Sequence, residues 1–386
     1  MKRLLLIFTI LILTLLNYAQ TVVPGVIIDH IPSNAQRYIG SPSLCILPDG
    51  SYVASHDVFG PKSEEYNSGR THIFRSADKG ETWEPLTIIK GQYWSGLFVH
   101  KEQLYILGTS RAHGNLVIRR STDGGRTWST PYDKNHGLLR EGEYHTAPTP
   151  VLLHNGRLWR AVEYATAPTD KWGLRYSPFM ISVDANKDLL CADNWRFTNH
   201  LPCDTQFLDG RMGAWIEGNA VAAPDGQILD VLRVDVAAGM PEYAAWIRIS
   251  RNGKKAAFDT TDFYTMPGSA KKFSIRYDAN SERYLALASI VGKDEATLDK
   301  KPAGIRNTLA LISSKDLKEW SIDHILLHHP DVSKHGFQYV DWQFEGEDII
   351  FVCRTASDDE IGQAHNAHDA NFLTFHRISN YKQYLP

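Results

Sequence analysis

Apolar and polar residues alternate in short runs that come in pairs, each pair bent about a compact polar turn. The pairs fall at 42–54, 96–107, 149–162, 220–232, 273–287 and 339–352, with Pro48-Asp-Gly50, His154-Asn-Gly156 and Pro224-Asp-Gly226 as three of the turns. A period of two places successive side chains on opposite faces of a strand, so each pair predicts a β-hairpin with two covered faces. The pairs recur roughly every 50–70 residues, the spacing of a four-stranded repeat. No long stretch of helical periodicity competes with them, and no shift of composition marks a linker. The pattern predicts one all-β domain with six inner hairpins.

Two turns further out repeat an eight-residue pattern. Ser76-Ala-Asp-Lys-Gly-Glu-Thr-Trp83 and Ser121-Thr-Asp-Gly-Gly-Arg-Thr-Trp128 share S-x-D-x-G-x-T-W, and Ser314-Lys-Asp-Leu-Lys-Glu-Trp320 is a copy one residue short. Asp78 and Asp123 are placed to accept backbone N–H groups inside the turn. Gly80 and Gly125 supply a left-handed backbone, and Trp83 and Trp128 pack beneath. The pattern resembles the Asp-box of sialidase-like β-propellers, which implies a single β-propeller with these turns between outer strands. The exposed strand at 22–28 is then expected to join the last blade and close the ring.

Composition narrows the class. Lys2-Arg3 precedes an apolar run at 4–16 and the small residue Ala19, which reads as a secretory signal over residues 1–20, with the propeller over 21–386. The chain is expected in the periplasm or outside the cell, with no membrane insertion after signal cleavage. A net charge of -3 from 41 basic and 44 acidic residues gives no reason to expect nucleic acid as a partner. Cys45, Cys191, Cys203 and Cys353 lack zinc-finger spacing, and Cys45 and Cys353 sit inside apolar strands, as buried thiols do. Ten Trp and seventeen Tyr suit a surface on which sugars stack.

In a propeller the inner hairpin turns and the Asp-boxes share one side, so the opposite face collects the residues that flank each hairpin. These are Tyr93, Trp94, Tyr144, His145, Glu217 and Asn219 on one flank. On the other are His56-Asp57, the loop around His113, Glu163-Tyr164, Arg233 and Arg354. The set is rich in His, Tyr and Arg. A glycosidase usually needs two carboxyl groups, and Asp57, Glu163, Glu217 and Asp341 offer candidates without selecting a pair. A His/Tyr/Arg set suits β-elimination beside a uronate: Arg neutralises the carboxylate, one of His and Tyr takes the C5 proton, and the other protonates the leaving oxygen.

The segments Gly40-Ser-Pro-Ser43, Ala54-Ser-His-Asp-Val-Phe-Gly60, Gly114-Asn-Leu-Val-Ile-Arg-Arg-Ser-Thr-Asp123, Glu217-Gly-Asn-Ala-Val221 and His368-Asp-Ala-Asn-Phe-Leu-Thr-Phe-His376 resemble the propeller clan of α-L-rhamnosidases, rhamnose–glucuronate lyases and ulvan lyases. The resemblance implies seven blades and an exported polysaccharide lyase. It would cleave α-L-rhamnose-1,4-D-glucuronate caps of arabinogalactan, with a uronic-acid-containing plant or algal polysaccharide as partner. It assigns catalysis to His113, Tyr144 and Arg160, with Arg160 beside Tyr144 lowering the phenol pKa. His56, Tyr93, Trp94, His145, Tyr164, Asn219, Arg233 and Arg354 become substrate-binding. No cofactor is required by this chemistry, and no metal ligand is assigned; a structural metal ion has room in the His365-Asn-Ala-His368-Asp369 tail with His376, which otherwise reads as a hydrogen-bonded loop. Where sialidases carry Arg-Ile-Pro this chain has Arg37-Tyr-Ile, which disfavours that activity. The alternatives are an α-L-rhamnosidase, an ulvan lyase and a non-catalytic glycan-binding propeller.

Overall fold

A computed structural model of the chain describes residues 22–166 and 169–386; the secretory signal expected over 1–20 lies outside them. All six sequence-predicted hairpins form, and each continues into two outer strands. Blade I runs Ser43–Ile46, Tyr52–Phe59, Arg70–Ser76, Glu84–Lys90, and blade II runs Tyr93–His100, Gln103–Thr109, Gly114–Ser121, Leu138–His145. Blade III takes Leu152–His154, Arg157–Tyr164, Ser177–Asp184 and Trp195–Phe197. Blade IV takes Met212–Ala222, Ile228–Val236 and Tyr243–Ile249, with its outer strand split into Ala256–Ala257 and Phe263–Thr265. Blade V is Ser274–Asp278, Arg283–Ser289, Thr308–Ser314 and Ser321–His328. Blade VI is Gly336–Glu345, Asp348–Ala356 and Phe372–Ile378, completed by the N-terminal Val26–His30, which pairs antiparallel with Phe372–Ile378 and closes the ring as expected.

The core is six cores, one between each pair of neighbouring blades. Alternation along each strand feeds them by turns: Leu285 and Leu287 pack toward blade VI, whereas Tyr284, Ala286 and Ala288 pack toward blade IV. The cluster holding Leu44, Tyr52, Ala54 and Phe74 with Ile350, Val352, Leu373 and Phe375 joins blade VI to blade I and completes the circle. The described residues therefore make six blades, as the hairpin count predicts. The seven implied by the resemblance are not formed, because no seventh inter-blade core exists among them. Blades II and III share a continuous sheet through the Tyr144–Tyr164 and His145–Glu163 pairings.

The Asp-boxes fold as their sequence dictates. The Asp78 carboxylate accepts from Thr82 N and Ser76 Oγ, Gly80 N donates to Ser76 Oγ, and Gly80 adopts φ 93°. Asp123 repeats this with Thr127, Ser121 and Gly125. In the short third copy Leu317 takes the left-handed position, φ 68°, while Trp320 Nε1 still reaches the Leu317 carbonyl at 2.8 Å. The four cysteines are free. Among the described residues no helix is long and apolar enough to cross a membrane.

Candidate active site

The face opposite the Asp-boxes has its chemistry set by three irregularities at the channel mouth. The first inner strands of blades II, IV and VI each slip register, between Tyr93 and Gly96, Ile216 and Asn219, and Gln338 and Asp341. In each slip one non-glycine residue goes left-handed: Trp94 at φ 48°, Glu217 at φ 59° and Tyr339 at φ 54°. Such a conformation costs about 1–3 kcal/mol per residue and re-aims a side chain that the pleat would otherwise send into an inter-blade core. The residue before each slip faces a matched partner on the second strand: Ile216 opposes Arg233, and Gln338 opposes Arg354. One register device, used in blades IV and VI, thus delivers an acid, a phenol and two guanidinium groups.

These groups touch. Tyr339 Oη donates to Glu217 Oε1 at 2.8 Å, and Arg233 Nη1 binds Glu217 Oε2 at 2.7 Å while its Nε reaches the Ala270 carbonyl at 3.0 Å. Glu217 and Arg233 are 3% and 4% exposed. Burial alone would raise the Glu217 pKa, but the charges of Arg233 and His145 hold it below its ordinary value. Arg354 lies 4.6 Å above the ring of Tyr339 and 4.6 Å from that of Phe59, and its Nε donates to the His368 carbonyl. A third guanidinium, Arg306, is buried against Gln338 Oε1 and makes no ion pair among the described residues. Burial and the positive neighbours Arg233 and Arg354 push its pKa down to about 9. Of the three buried guanidinium groups only Arg233 has an ion-pair partner among the described residues. The other buried carboxylates nearby are held by His145 (Glu163) and by Trp94 N and Thr71 (Asp57), so Arg306 and Arg354 are left for an anionic ligand to satisfy.

An aromatic wall completes the mouth. Trp94 meets His145 edge-on at 4.4 Å and His113 at 5.3 Å, and Tyr176 lies 4.9 Å from His145. His113 Nε2 is 3.1 Å from Tyr176 Oη. Burial, with the charges of His145, Arg175 and Arg111, pushes the His113 pKa down to about 3, so its ring is neutral near pH 7 and accepts the phenolic hydrogen. His145 Nδ1 is 2.9 Å from Glu163 Oε2, and its Nε2 makes no hydrogen bond among the described residues.

Of the sequence-predicted site residues, the mouth gathers His113, Trp94, His145, Arg233 and Arg354, with Tyr93 buried under Trp94 and bound to Glu65 at 2.6 Å. It does not gather the rest. Arg160 is 1% exposed and deep in the channel, where it binds Thr146, Thr149 and the Ala147 carbonyl. Tyr164 lies 5.1 Å from His200 in a tilted pair, and Tyr144 packs in the core between blades II and III against Tyr164 and Phe179. Its phenol pKa is raised, by burial first, rather than lowered, and Arg140 is the arginine near it. His56 faces away from the channel onto Asp29 and His72. Asn219 stitches blade IV to blade V through the Phe273 carbonyl and Ile275 N. In the tail, His365, Asn366 and His368 all bond Asp369, while His376 lies apart on Thr374. Sequence reasoning missed Tyr339, Tyr176 and Arg306 and did not single out Glu217. The signal for Tyr339 was its position, equivalent to Trp94 and Glu217 at the start of an inner hairpin.

No protein-family model matches the chain, and no curated protein matches it. Solved structures do match in fold. A Hadza microbial sialidase, Hz136, superposes with a TM-score of 0.60 at 14% identity over 90% of this chain and 66% of its own. An α-L-arabinanase of Penicillium chrysogenum, complexed with arabinobiose, gives 0.55 at 15% over 93% and 98%. The Trypanosoma rangeli sialidase, complexed with sialic acid, gives 0.55 at 14% over 88% and 54%. The chain spans just under two thirds of the first and about half of the last. The fold is that of a sialidase-like β-propeller.

Proposed function

We propose that the protein is a retaining glycosidase for a sugar that carries a carboxylate, with Tyr339 as nucleophile. The observation that carries this is the 2.8 Å contact of Tyr339 with Glu217 inside a set of three buried arginines. A phenol is a weak nucleophile until a base takes its proton, and a buried carboxylate at hydrogen-bond distance is that base. A neutral nucleophile also avoids the repulsion that a carboxylate nucleophile would meet from an acidic sugar held close by. In the first step the Tyr339 oxygen attacks the anomeric carbon and its proton passes to Glu217. The glycosidic oxygen leaves with a proton from His145, whose other ring nitrogen is held by Glu163. In the second step His145 takes a proton from water as the water attacks the glycosyl-tyrosine, and Glu217 returns its proton to the phenolate. Arg233, Arg306 and Arg354 hold the sugar carboxylate, and Trp94 offers the stacking face.

The neighbours that act on sialic acid and arabinose chains support a glycan as substrate, and an exported location suits a polymeric one. The test is incubation of the purified protein with chromogenic glycosides of sialic, glucuronic and galacturonic acid, followed by trapping with a fluorinated analogue and peptide mass spectrometry. Release of chromophore with the label on Tyr339 is the expected result; turnover that survives Tyr339→Phe removes the reading. The 3.1 Å His113–Tyr176 contact favours a second reading, the rhamnose–glucuronate lyase. On gum arabic it would release rhamnose together with the ultraviolet band of an unsaturated uronate, which hydrolysis does not produce.

A further inference from the structure

Away from the mouth, three ligand-type side chains meet where the ring closes. His56 and His72 are directly opposed on neighbouring strands of blade I, their rings 5.0 Å apart. Asp29 reaches them from the N-terminal closing strand, whose register slips between Ile27 and Asp29. One ligand atom from each lies within 4.8 Å of the other two.

The hydrogen bonds around His56 leave a defined gap. Its Nδ1 is 2.8 Å from the Asp57 carbonyl, which can only accept, so Nδ1 carries the hydrogen. Its Nε2 then points a lone pair at Asp29 Oδ2, 2.8 Å away, unless a cation stands between them or the ring takes a second proton. The His56 side chain is fully buried, and the imidazole of His72 beside it makes no hydrogen bond among the described residues. Asp29 is oriented as well: Oδ1 accepts from His30 N at 2.9 Å, leaving Oδ2 free to bind. A backbone carbonyl on the far nitrogen of a histidine and an N–H on the second oxygen of a carboxylate are how proteins fix the direction of metal ligands.

We propose that Asp29, His56 and His72 form a binding site for one first-row divalent cation of the Zn2+ type. Two imidazoles and a carboxylate are the donor set that Zn2+ takes with water in the fourth position. Bonds of about 2.0–2.2 Å in a tetrahedron separate ligand atoms by about 3.3 Å, so the Nε2–Oδ2 pair opens by roughly half an ångström on binding. A groove of about 770 Å3 lined by Asp29, Arg37, Arg70 and His72 gives the ion an approach and room for that water. The site ties the closing strand to blade I, a junction otherwise held only by packing and hydrogen bonds.

The test uses the intact protein, stripped by chelator and titrated with Co2+ and then Zn2+. The expected result is the visible absorption of four-coordinate Co2+ at one equivalent, its displacement by Zn2+, and a rise in melting temperature of about 3 °C at a hundredfold excess over Kd. His72→Ala and Asp29→Asn are each expected to weaken Zn2+ binding about 100-fold or more and to abolish that rise. The His72 side chain is half-buried and makes no hydrogen bond among the described residues, so truncating it is expected to leave the sheet pairing of blade I intact. Absence of absorption and of a melting shift in the native chain would make the cluster an imidazolium–carboxylate pair and overturn the proposal. An unchanged shift in both variants would place the ion elsewhere, with the same consequence.

Discussion

Replacing Glu217 by Gln tests the site and its electrostatics together. The substitution keeps the shape and one acceptor for Tyr339 but removes the charge that faces Arg233, both groups being almost fully buried. Breaking a buried ion pair from one side costs about 3–5 kcal/mol, because the remaining charge has lost its partner without regaining water. Unfolding entropy of about 2.1 cal/mol/K per residue gives roughly 0.75 kcal/mol/K for a chain of about 360 ordered residues, so the melting temperature is expected to fall by about 4–7 °C. The pH dependence has a definite sign. The Glu217 pKa is depressed in the folded state, so its stabilisation is complete above the ordinary value of 4.5 and is lost as pH falls through the folded value. The gap between native chain and variant is therefore constant from neutrality to about pH 5 and closes below it. Turnover is expected to fall about 10²–10⁴-fold through loss of the base. Affinity for a simple carboxylate such as glucuronate rises, because three guanidinium groups are left without a counter-charge. Scanning calorimetry from pH 3 to 8 and a chromogenic assay measure all of this. A melting shift under about 1 °C, or activity above a tenth of the native value, would refute the coupled Tyr339–Glu217–Arg233 unit.

Three other substitutions or treatments have defined outcomes. Arg306→Gln removes a buried cation whose pKa is lowered to about 9, a penalty on folding present below that pH and relieved above it. The variant is expected to melt higher than the native chain at pH 7 and to raise KM for an acidic glycoside at least about tenfold; a lower melting point would contradict the charge argument. The hairpin of blade II turns on Lys101 and Glu102, at φ 48° and φ 63°, where Asn-Gly is favoured, so Glu102→Gly should add up to about 1 kcal/mol by chemical denaturation. Burial pushes the thiols of Cys45 and Cys353 up to about 12, so iodoacetamide at pH 8 should spare both until the chain unfolds while the half-buried Cys191 reacts; native labelling of Cys353 would mean blade VI opens.

The fold was legible because its signals are local. Alternation such as Tyr284-Leu285-Ala286-Leu287 marks a strand packed on both sides, and the Asp-box turns carry their own acceptors and glycines. The residues alone also led to six hairpins; the resemblance added a blade that no core supports. The site was less legible, because Trp94, Glu217 and Tyr339 adopt glycine-like backbone without being glycine. At 339–352 the alternation begins at Tyr339 itself, so nothing in it marks Tyr339 as the residue that leaves the pleat. Arg160 illustrates the opposite error. Its inward alternation is correct, but it sits four residues short of the strand end at Tyr164, about 13 Å below the mouth, where two threonines and a carbonyl take its two terminal nitrogens. Direction is legible in a period of two; depth is not.

The distribution of cost over the molecule supports the same site. On the Asp-box side the tight turns are self-satisfied: each aspartate meets the N–H and hydroxyl donors of its own loop. Left-handed non-glycine residues occur on that side as well, at Lys79, Lys101, Glu102 and Leu317. What sets the mouth apart is that Trp94, Glu217 and Tyr339 combine this backbone with a neutral, half-buried His113 and with Arg306 buried without a counter-charge. Together these amount to several kcal/mol of unfavourable backbone and electrostatic energy. Such a concentration persists only where six surrounding cores hold it in place, and where a ligand relieves part of it on binding. An anion seated among Arg233, Arg306 and Arg354 relieves the electrostatic part while leaving Trp94, Glu217 and Tyr339 held in position. On the function proposed above, the backbone strain is preorganisation of the nucleophile and its base, and the unpaired guanidinium charge is selection for an acidic sugar.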